Sequence, residues 1–195
     1  KDDQAVIEAG FKKWAENIIA NGVPHNNWDL FQADFIVKIA LVLQDNQAYA
    51  DGKGKQYYLD YIVNQNSIRQ WSMNKLIDFG FDAKSKTWYE SSGYSTTVLS
   101  SICDFANMLD EKAGIDLFKQ RPVLTEAVKT SAEYLFPNRM IAGFGDTHPG
   151  YLNTGGIDQV LKYATRHKNK NLISEMNLLK NAVAPQAPIS EIEAY

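Results

Sequence analysis

Residues 94–111 read YSTTVLSSICDFANMLDE, and this stretch decides the fold class. Its large apolar residues recur at intervals of four, three and four positions, at Val98, Ile102, Phe105 and Leu109. This spacing places them on one face of a helix with 3.6 residues per turn. The single cysteine, Cys103, falls inside the same pattern, where we expect a small buried side chain. The stretch therefore predicts an amphipathic α-helix.

The same periodicity recurs along the rest of the chain. It predicts helical stretches at residues 2–20, 28–49, 55–78, 121–135, 157–167 and 171–183. The stretch at 55–78 has the poorer periodicity, so we expect a break near residues 64–67. Because no segment shows a sustained strand alternation, the sequence predicts an all-α domain over residues 1–184 and a linker or tail at 185–195. The helices form hairpins that can stack as a solenoid or curl into a toroid, with a four-helix bundle as the alternative.

Composition excludes several classes of function. The chain has 195 residues, 45% of them hydrophobic, a net charge of -3 and one cysteine. The charge gives no general attraction to nucleic acid, and no apolar run approaches the ~20 residues of a membrane span, so we expect neither partner. One cysteine excludes an internal disulfide framework and a multi-cysteine zinc site. The usual motifs of serine hydrolases, nucleotide-binding proteins and zinc proteases are missing, and we expect no metal or cofactor.

Three polar segments lie at the ends of predicted helices. Residues 24–29 read PHNNWD, and residues 79–93 and 137–156 are long loops. Structureless loops longer than about a dozen residues are uncommon and often functional. Because the ends of successive hairpins can converge on one rim, we expect these segments to lie on the same side of the domain.

The first segment contains His25, Asn26 and Asn27 and has two interpretations. In the structural one, Asn27 caps the second helix and Trp28 packs on a neighbour, since asparagine is among the best N-cap residues. In the functional one, the side-chain donors form a cluster at a helix N-terminus. Such a cluster stabilises an anion or a developing oxyanion.

The second segment contains Trp88, Tyr89 and Glu90 and leads into Tyr94. Tyr94 is either an aromatic residue that starts a helix or a proton donor or base on a rim. Glu90 has three possible roles: it binds a sugar hydroxyl, positions Tyr94 or balances surface charge. The residues alone leave these alternatives open.

The third segment reads FGDTHPGY at residues 144–151. Gly143 and Gly145 allow a close backbone approach or a positive φ, and Asp146 can fix the loop through an Asx turn. His148 has three possible roles: a general base, a metal ligand or an exposed residue without a function. One histidine with one aspartate is too few for a metal site, and His167, in a basic helix end, is expected to be solvated.

The order of these pieces resembles the helical catalytic domain of the heparinase II/III-like polysaccharide lyases. The resemblance spans roughly residues 14–155 and rests on four motifs: HNNW at 25–28, WYESSGY at 88–94, YLFP at 134–137 and FGD at 144–146. It implies helical hairpins that form part of an incomplete (α/α) toroid. It also implies a C-terminal β-sandwich domain of the same polypeptide, for which this chain has no room. The implied enzyme is secreted or periplasmic and cleaves uronic-acid polysaccharides by β-elimination.

The resemblance also implies roles for individual residues. β-Elimination requires that the uronate charge is neutralised, that a base removes the C5 proton and that an acid protonates the leaving oxygen. Asn26 or Asn27 matches the carboxylate-binding asparagine, and Tyr94 matches the catalytic tyrosine. His25 matches the supporting histidine, and His148 is another candidate base. The family often places a histidine directly after its asparagine, where this chain has Trp28.

An acidic polysaccharide is the partner that this resemblance implies. Its sugar rings can stack on Trp28, Trp88 and Tyr89, and ordinary hydrophobic packing is the alternative for each of these. Glu90, Arg139 and Asp146 are the candidate polar contacts. One alternative function is a noncatalytic all-α module that binds a glycan or a protein. Another is a toroid glycoside hydrolase, which needs two carboxylates across the groove. The chain by itself can also be an inactive fragment of a lyase.

Overall fold

The structure is a computed structural model that describes residues 2–143, 145 and 147–184. The predicted linker or tail at 185–195 therefore lies outside the described residues. The described chain is mainly helical, which confirms the all-α fold class. Its helices are α1 (Asp2–Asn21), α2 (Asn27–Val42), α3 (Lys55–Asn64), α4 (Met73–Gly80), α5 (Ser92–Ala113), α6 (Leu117–Gln120), α7 (Val123–Thr130), α8 (Gly155–Arg166) and α9 (Lys170–Val183).

Short elements complete the described chain. Asn46–Ala48 and Ser131–Tyr134 form 3₁₀ turns, and strands β1 (Met140–Ile141) and β2 (Gly150–Tyr151) pair in antiparallel fashion. No described helix combines the length and the apolarity that crossing a membrane requires.

The chain folds into two compact units. The first contains the residues up to Gly80 together with Glu111–Gly114, and the second contains Phe81–Asp110 and the chain from Ile115 onward. In the first unit, α2 packs against α1, α3 and α4. The closure of the hairpins into part of a toroid stays a prediction.

The second predicted helix is too long at its C-terminal end. α2 ends at Val42, because the backbone of Leu43 turns extended, with φ of -77° and ψ of 157°. In the loop that follows, the Oδ1 atom of Asn46 accepts hydrogen bonds from the backbone N–H groups of Gly54 and Tyr57, each at 3.0 Å. Asparagine that bonds to backbone groups in this way competes with helix formation.

The predicted break in the third stretch is confirmed. α3 ends at Asn64 and α4 begins at Met73. In the connection, the Ser67 hydroxyl accepts hydrogen bonds from the backbone N–H groups of Arg69 and Gln70, at 3.1 and 2.9 Å. The side chain of Gln70 donates to the backbone oxygen of Asp29 at 3.1 Å, which fixes the connection to the start of α2.

α2 has one buried face and one exposed apolar stripe. Ile36, Ala40 and Leu43 belong to the buried face, whereas Phe31, Phe35 and Val42 are exposed. The polar residue buried with this helix is Asp29, in its first turn. Both carboxylate oxygens of Asp29 accept the backbone N–H of Trp71, at 3.1 and 3.2 Å.

The first predicted long loop, residues 79–93, is a closed turn. Phe81 and Trp88 form a β-bridge, and the backbone N–H of Asp82 donates to the Thr87 oxygen at 2.9 Å. The Asp82 carboxylate accepts hydrogen bonds from the backbone N–H groups of Lys84 and Ser85, at 3.0 and 2.6 Å. The chain continues from this turn into α5, which begins at Ser92, two residues earlier than the sequence predicts.

The second predicted long loop, residues 137–156, contains the β1–β2 hairpin. The backbone N–H of Phe136 donates to the Met140 oxygen at 2.8 Å, and Arg139 takes a positive φ of 65° in this turn. Before the hairpin, the predicted helix at 121–135 is shorter, because α7 ends at Thr130 and continues as a 3₁₀ turn. The sequence did not predict the four-residue helix α6.

Candidate active site

An open groove lies at the N-terminal end of α5, within the second unit. Its volume is about 320 Å³, which is within the range of ligand-binding clefts. The start of α5 lines one part, and the segment from β1 to the start of α8 lines the rest. The lining residues are Gly93, Tyr94, Thr96, Thr97, Ile141, Thr147, His148, Gly150, Tyr151 and Asn153.

The groove brings together two predicted proton-transfer residues. Tyr94 lies in the first turn of α5, and its side chain is 44% exposed. His148 is also exposed and lines the same groove from the loop between the strands. Tyrosine and histidine are both able to act as general acid or base. Their position in one groove is compatible with the two proton transfers that β-elimination requires.

Hydrogen bonds tie the hairpin segment to the start of α5. The Ser92 hydroxyl donates to the backbone oxygen of Ala142. Further along α5, the side-chain amide of Asn153 lies 3.5 Å from the Thr97 hydroxyl. The Ser95 and Tyr134 hydroxyls are 3.1 Å apart, so the 3₁₀ turn at Ser131–Tyr134 also contacts α5. The groove is therefore built on a long helix rather than on loops alone.

Tyr151 and Asn153 are site residues that the sequence interpretation missed. Tyr151 is 59% exposed and occupies the second position of β2, opposite Met140. A tyrosine ring that is open to solvent offers an apolar face together with a hydroxyl, which suits a sugar ring. The signal that would have indicated Tyr151 is the hairpin register, and strands of two residues do not display a register in the sequence.

The closed turn places Trp88 and Glu90 outside the groove lining. Trp88 is only 5% exposed, and its ring makes an edge-to-face contact with Phe81 at 5.3 Å between centroids. Its indole N–H donates to the Glu90 carboxylate at 2.9 Å. The buried indole thus supports the turn, whereas Tyr89 is 63% exposed.

The glycines of the third segment have the geometry that the sequence predicts. Gly145 takes a positive φ of 60°, and a Cβ atom on Gly143 would lie 2.5 Å from the Cδ of Pro149. Asp146, the predicted Asx residue, lies outside the described residues, as does Phe144. Arg139 is half-buried in the turn before β1 and does not line the groove.

The cluster at residues 25–28 starts α2, with the cap one residue earlier than predicted. The N-cap is Asn26, whose Oδ1 accepts the backbone N–H of Trp28 at 2.9 Å, whereas Asn27 is the first helical residue. His25 takes a positive φ of 77°, and its ring stacks on Trp71 at 3.9 Å. Trp28 is 60% exposed. This cluster belongs to the first unit, and a site shared with Tyr94 stays a prediction.

Capping by Asn26 predicts unequal effects of two neighbouring substitutions. Asn26→Ala is expected to destabilise the protein by about 1 kcal/mol, because it leaves an N–H group of the first turn without its acceptor. Asn27→Ala is the matched control, and we expect it to be neutral or slightly stabilising, because alanine has a higher helix propensity than asparagine. Thermal or urea denaturation measures both. Equal losses for the two variants would contradict the assignment of the cap.

His167 is exposed, as the sequence predicts, but its ring also contacts neighbouring side chains. Its Nε2 lies 2.8 Å from the Asp110 carboxylate, and its ring packs on Tyr163 at 4.4 Å. Arg166 donates to the same carboxylate at 2.5 Å. Burial opposes ionisation of Asp110, but the hydrogen bonds from His167 and Arg166 outweigh it and lower the pKa of this carboxyl.

Asp110, Asp116 and His167 have the spacing of metal ligands, but their atoms already have partners. Asp110 is bound by Arg166 and His167, and Asp116 accepts the Tyr163 hydroxyl at 3.0 Å. A cation here would have to displace an arginine. The cluster is therefore an ion-pair network that joins α5 to α8.

Residues 84–186 match the family model of the endo-acting ulvan lyase 2nd domain. The matched segment is just over half of the chain, includes every residue that lines the groove and begins after the cluster at 25–28. The match supports a polysaccharide lyase family, while the narrower resemblance to heparinase II/III-like lyases stays a prediction. No curated protein and no solved structure matches the chain.

Proposed function

The chain belongs to the family of endo-acting ulvan lyase second domains, and on this premise we propose that it cleaves an acidic polysaccharide by β-elimination in the groove at α5. The observation that supports the proposal most strongly is the shared position of Tyr94 and His148. Both line one open groove inside the matched segment. The substrate class is a uronic-acid-containing polysaccharide, with ulvan as the first candidate because the family name specifies it.

Tyr94 and His148 supply the two proton transfers in this proposal. One of them removes the C5 proton of the uronate, and the other protonates the glycosidic oxygen as the C4–O bond breaks. The electrons of the C5–H bond form the new C4–C5 double bond. Both groups lie in a groove that is open to solvent, so a polymer can reach them without a prior opening of the fold.

The start of α5 is the proposed site for the uronate carboxylate. The first N–H groups of a helix have no partner within the helix and carry the positive end of its dipole. α5 begins at Ser92 with no acidic residue in its first turn, and Gly93 lines the groove. Neutralisation of the carboxylate at this position would make the C5 proton more acidic. The resemblance assigns this role to Asn26 or Asn27, and that assignment is the alternative.

The shape and polarity of the groove suit a sugar chain. Tyr94 and Tyr151 offer exposed rings for stacking, and Thr97 and Asn153 offer hydrogen-bonding groups. The groove is open rather than enclosed, so a long chain can pass through it. This supports an endo-acting enzyme, as the family name states.

Two alternative functions differ in how well they fit the groove. A glycoside hydrolase needs two carboxylates across the scissile bond, and the part of the lining that the structure describes contains none. Glu90 is held by the Trp88 indole outside that lining. A noncatalytic glycan-binding module would use the same aromatic residues without proton transfer, and only an activity measurement separates it from a lyase.

Location and domain partner follow from the same proposal. A polysaccharide is too large to enter a cell intact, so we propose that the protein acts in the periplasm or after secretion. We also propose that it works with the C-terminal β-sandwich domain that the resemblance implies. In that arrangement the helical domain provides the groove, and the second domain adds further contacts along the polymer.

The proposal is tested with a panel of uronic-acid polysaccharides that includes ulvan. The chain, and the polypeptide joined to the proposed β-sandwich domain, are incubated with each polymer. Ultraviolet absorbance reports the unsaturated product, and calorimetry reports binding. We expect absorbance to rise with at least one polymer. Binding without any product would favour the glycan-binding module, and neither binding nor product would overturn the proposed function.

A further inference from the structure

Thr147 links the loop that carries His148 to the start of α5. Its hydroxyl lies 2.5 Å from the hydroxyl of Ser91, the residue directly before α5. The methyl group of Thr147 sits over Gly93, because a Cβ atom added to Gly93 would lie 2.4 Å from it. Thr147 is therefore held by a hydrogen bond on one side of its side chain and by close packing on the other.

The backbone at Ala142 also contacts the start of α5. Ser92 donates a hydrogen bond to the Ala142 oxygen. The chain then doubles back, since a Cβ atom on Gly143 would lie 2.5 Å from the Cδ atom of Pro149. These contacts bring residues on both sides of Thr147 to the start of the helix that carries Tyr94.

We propose that Thr147 is a positioning residue, which holds the adjacent His148 in the groove through its hydroxyl bond to Ser91 and its packing on Gly93. The inference rests on the proposed function, in which His148 and Tyr94 transfer protons at the same sugar. Proton transfer is sensitive to placement, and a displacement of about 1 Å can cost roughly a hundredfold in rate. Thr147 touches neither the proton nor the leaving oxygen in this scheme.

Thr147→Val separates the hydroxyl from the shape of the side chain. It removes the bond to Ser91 and keeps the packing on Gly93. We expect kcat to fall by roughly ten- to a hundredfold with little change in KM, because the groove itself is kept. Thr147→Ser keeps the hydroxyl and should restore most of the rate.

A matched control is available in the same unit. The Ser85 and Thr87 hydroxyls are 2.8 Å apart in the turn before α5, away from the groove lining. Thr87→Val removes a bond of the same kind and should leave kcat unchanged.

A measurement that does not need activity separates this inference from the proposed function. The chain has three histidines, and a His148→Gln variant identifies the His148 imidazole signals in an NMR spectrum. We expect Thr147→Val to shift or broaden the His148 signals and to leave those of His25 and His167 in place. Unchanged His148 signals, or an undiminished kcat in an active protein, would overturn the positioning role. If the signals shift but the protein has no lyase activity, the positioning role of Thr147 stands and the proposed function is wrong.

Discussion

Tyr94→Phe is expected to lower turnover by roughly 10²–10⁴-fold while the protein stays folded. The substitution removes one hydroxyl and keeps the ring. The Tyr94 side chain is 44% exposed in the groove, so its hydroxyl contributes little to the packing of α5. Glycan binding should survive, since the ring remains available for stacking. Turnover and melting temperature, measured on the same preparation, report the two effects separately.

A purely structural Tyr94 would give the opposite pattern. Loss of a hydrogen bond would then cost about 0.5–1.5 kcal/mol of stability, and activity per folded molecule would be kept. Tyr57→Phe is a suitable control, because Tyr57 belongs to the first unit and lies outside the matched segment. Normal turnover of Tyr94→Phe would end the catalytic assignment of Tyr94.

The stability of the protein is expected to fall as pH rises from about 4 to about 7, because of Asp29. Burial raises the pKa of this carboxyl from 3.8 to about 7, against the opposing backbone hydrogen bonds from Trp71 and His25. The folded state therefore binds the proton more tightly than the unfolded state does. This stabilisation is complete below pH 4 and is lost as pH rises through 7. A shift of about three pKa units corresponds to roughly 4 kcal/mol.

Asp29→Asn is the variant that tests this pH dependence. The amide keeps an acceptor for the Trp71 N–H and removes the titration, so melting temperature should depend much less on pH between 5 and 8. Asp60→Asn is the matched control in the same unit. Hydrogen bonds from Asn64 and Gln65 lower the pKa of Asp60, so its contribution is lost only as pH falls below about 4. Equal slopes for the wild type and Asp29→Asn above pH 5 would contradict the account.

The helices could be predicted because the periodic spacing of apolar residues in each stretch of sequence indicates a helix with one apolar face. Val98, Ile102, Phe105 and Leu109 are all buried along α5, as their spacing requires. The ends of helices depend on contacts that no local pattern contains. α2 ends at Val42, and in the loop that follows it Asn46 bonds to the backbone at Gly54 and Tyr57.

The candidate site shows the same division between local and distant information. Tyr94 and His148 could be named from residue type and from their position at helix ends. Tyr151 could not, because its place in the groove depends on pairing with Met140. The burial of Trp88 likewise depends on a bridge to Phe81 across a turn. A tryptophan in a polar loop has the same local sequence signature whether it binds a sugar or closes that turn.

The masses of the products from one defined uronic-acid oligosaccharide test the central claim most directly. β-Elimination breaks the C4–O bond without adding water, so the masses of the two fragments sum to that of the substrate. Hydrolysis adds one water molecule to the same sum. We expect fragments without added water, one of them carrying the C4–C5 double bond, and much slower formation of these fragments by Tyr94→Phe. Fragments whose summed mass exceeds the substrate by one water would contradict the proposed β-elimination.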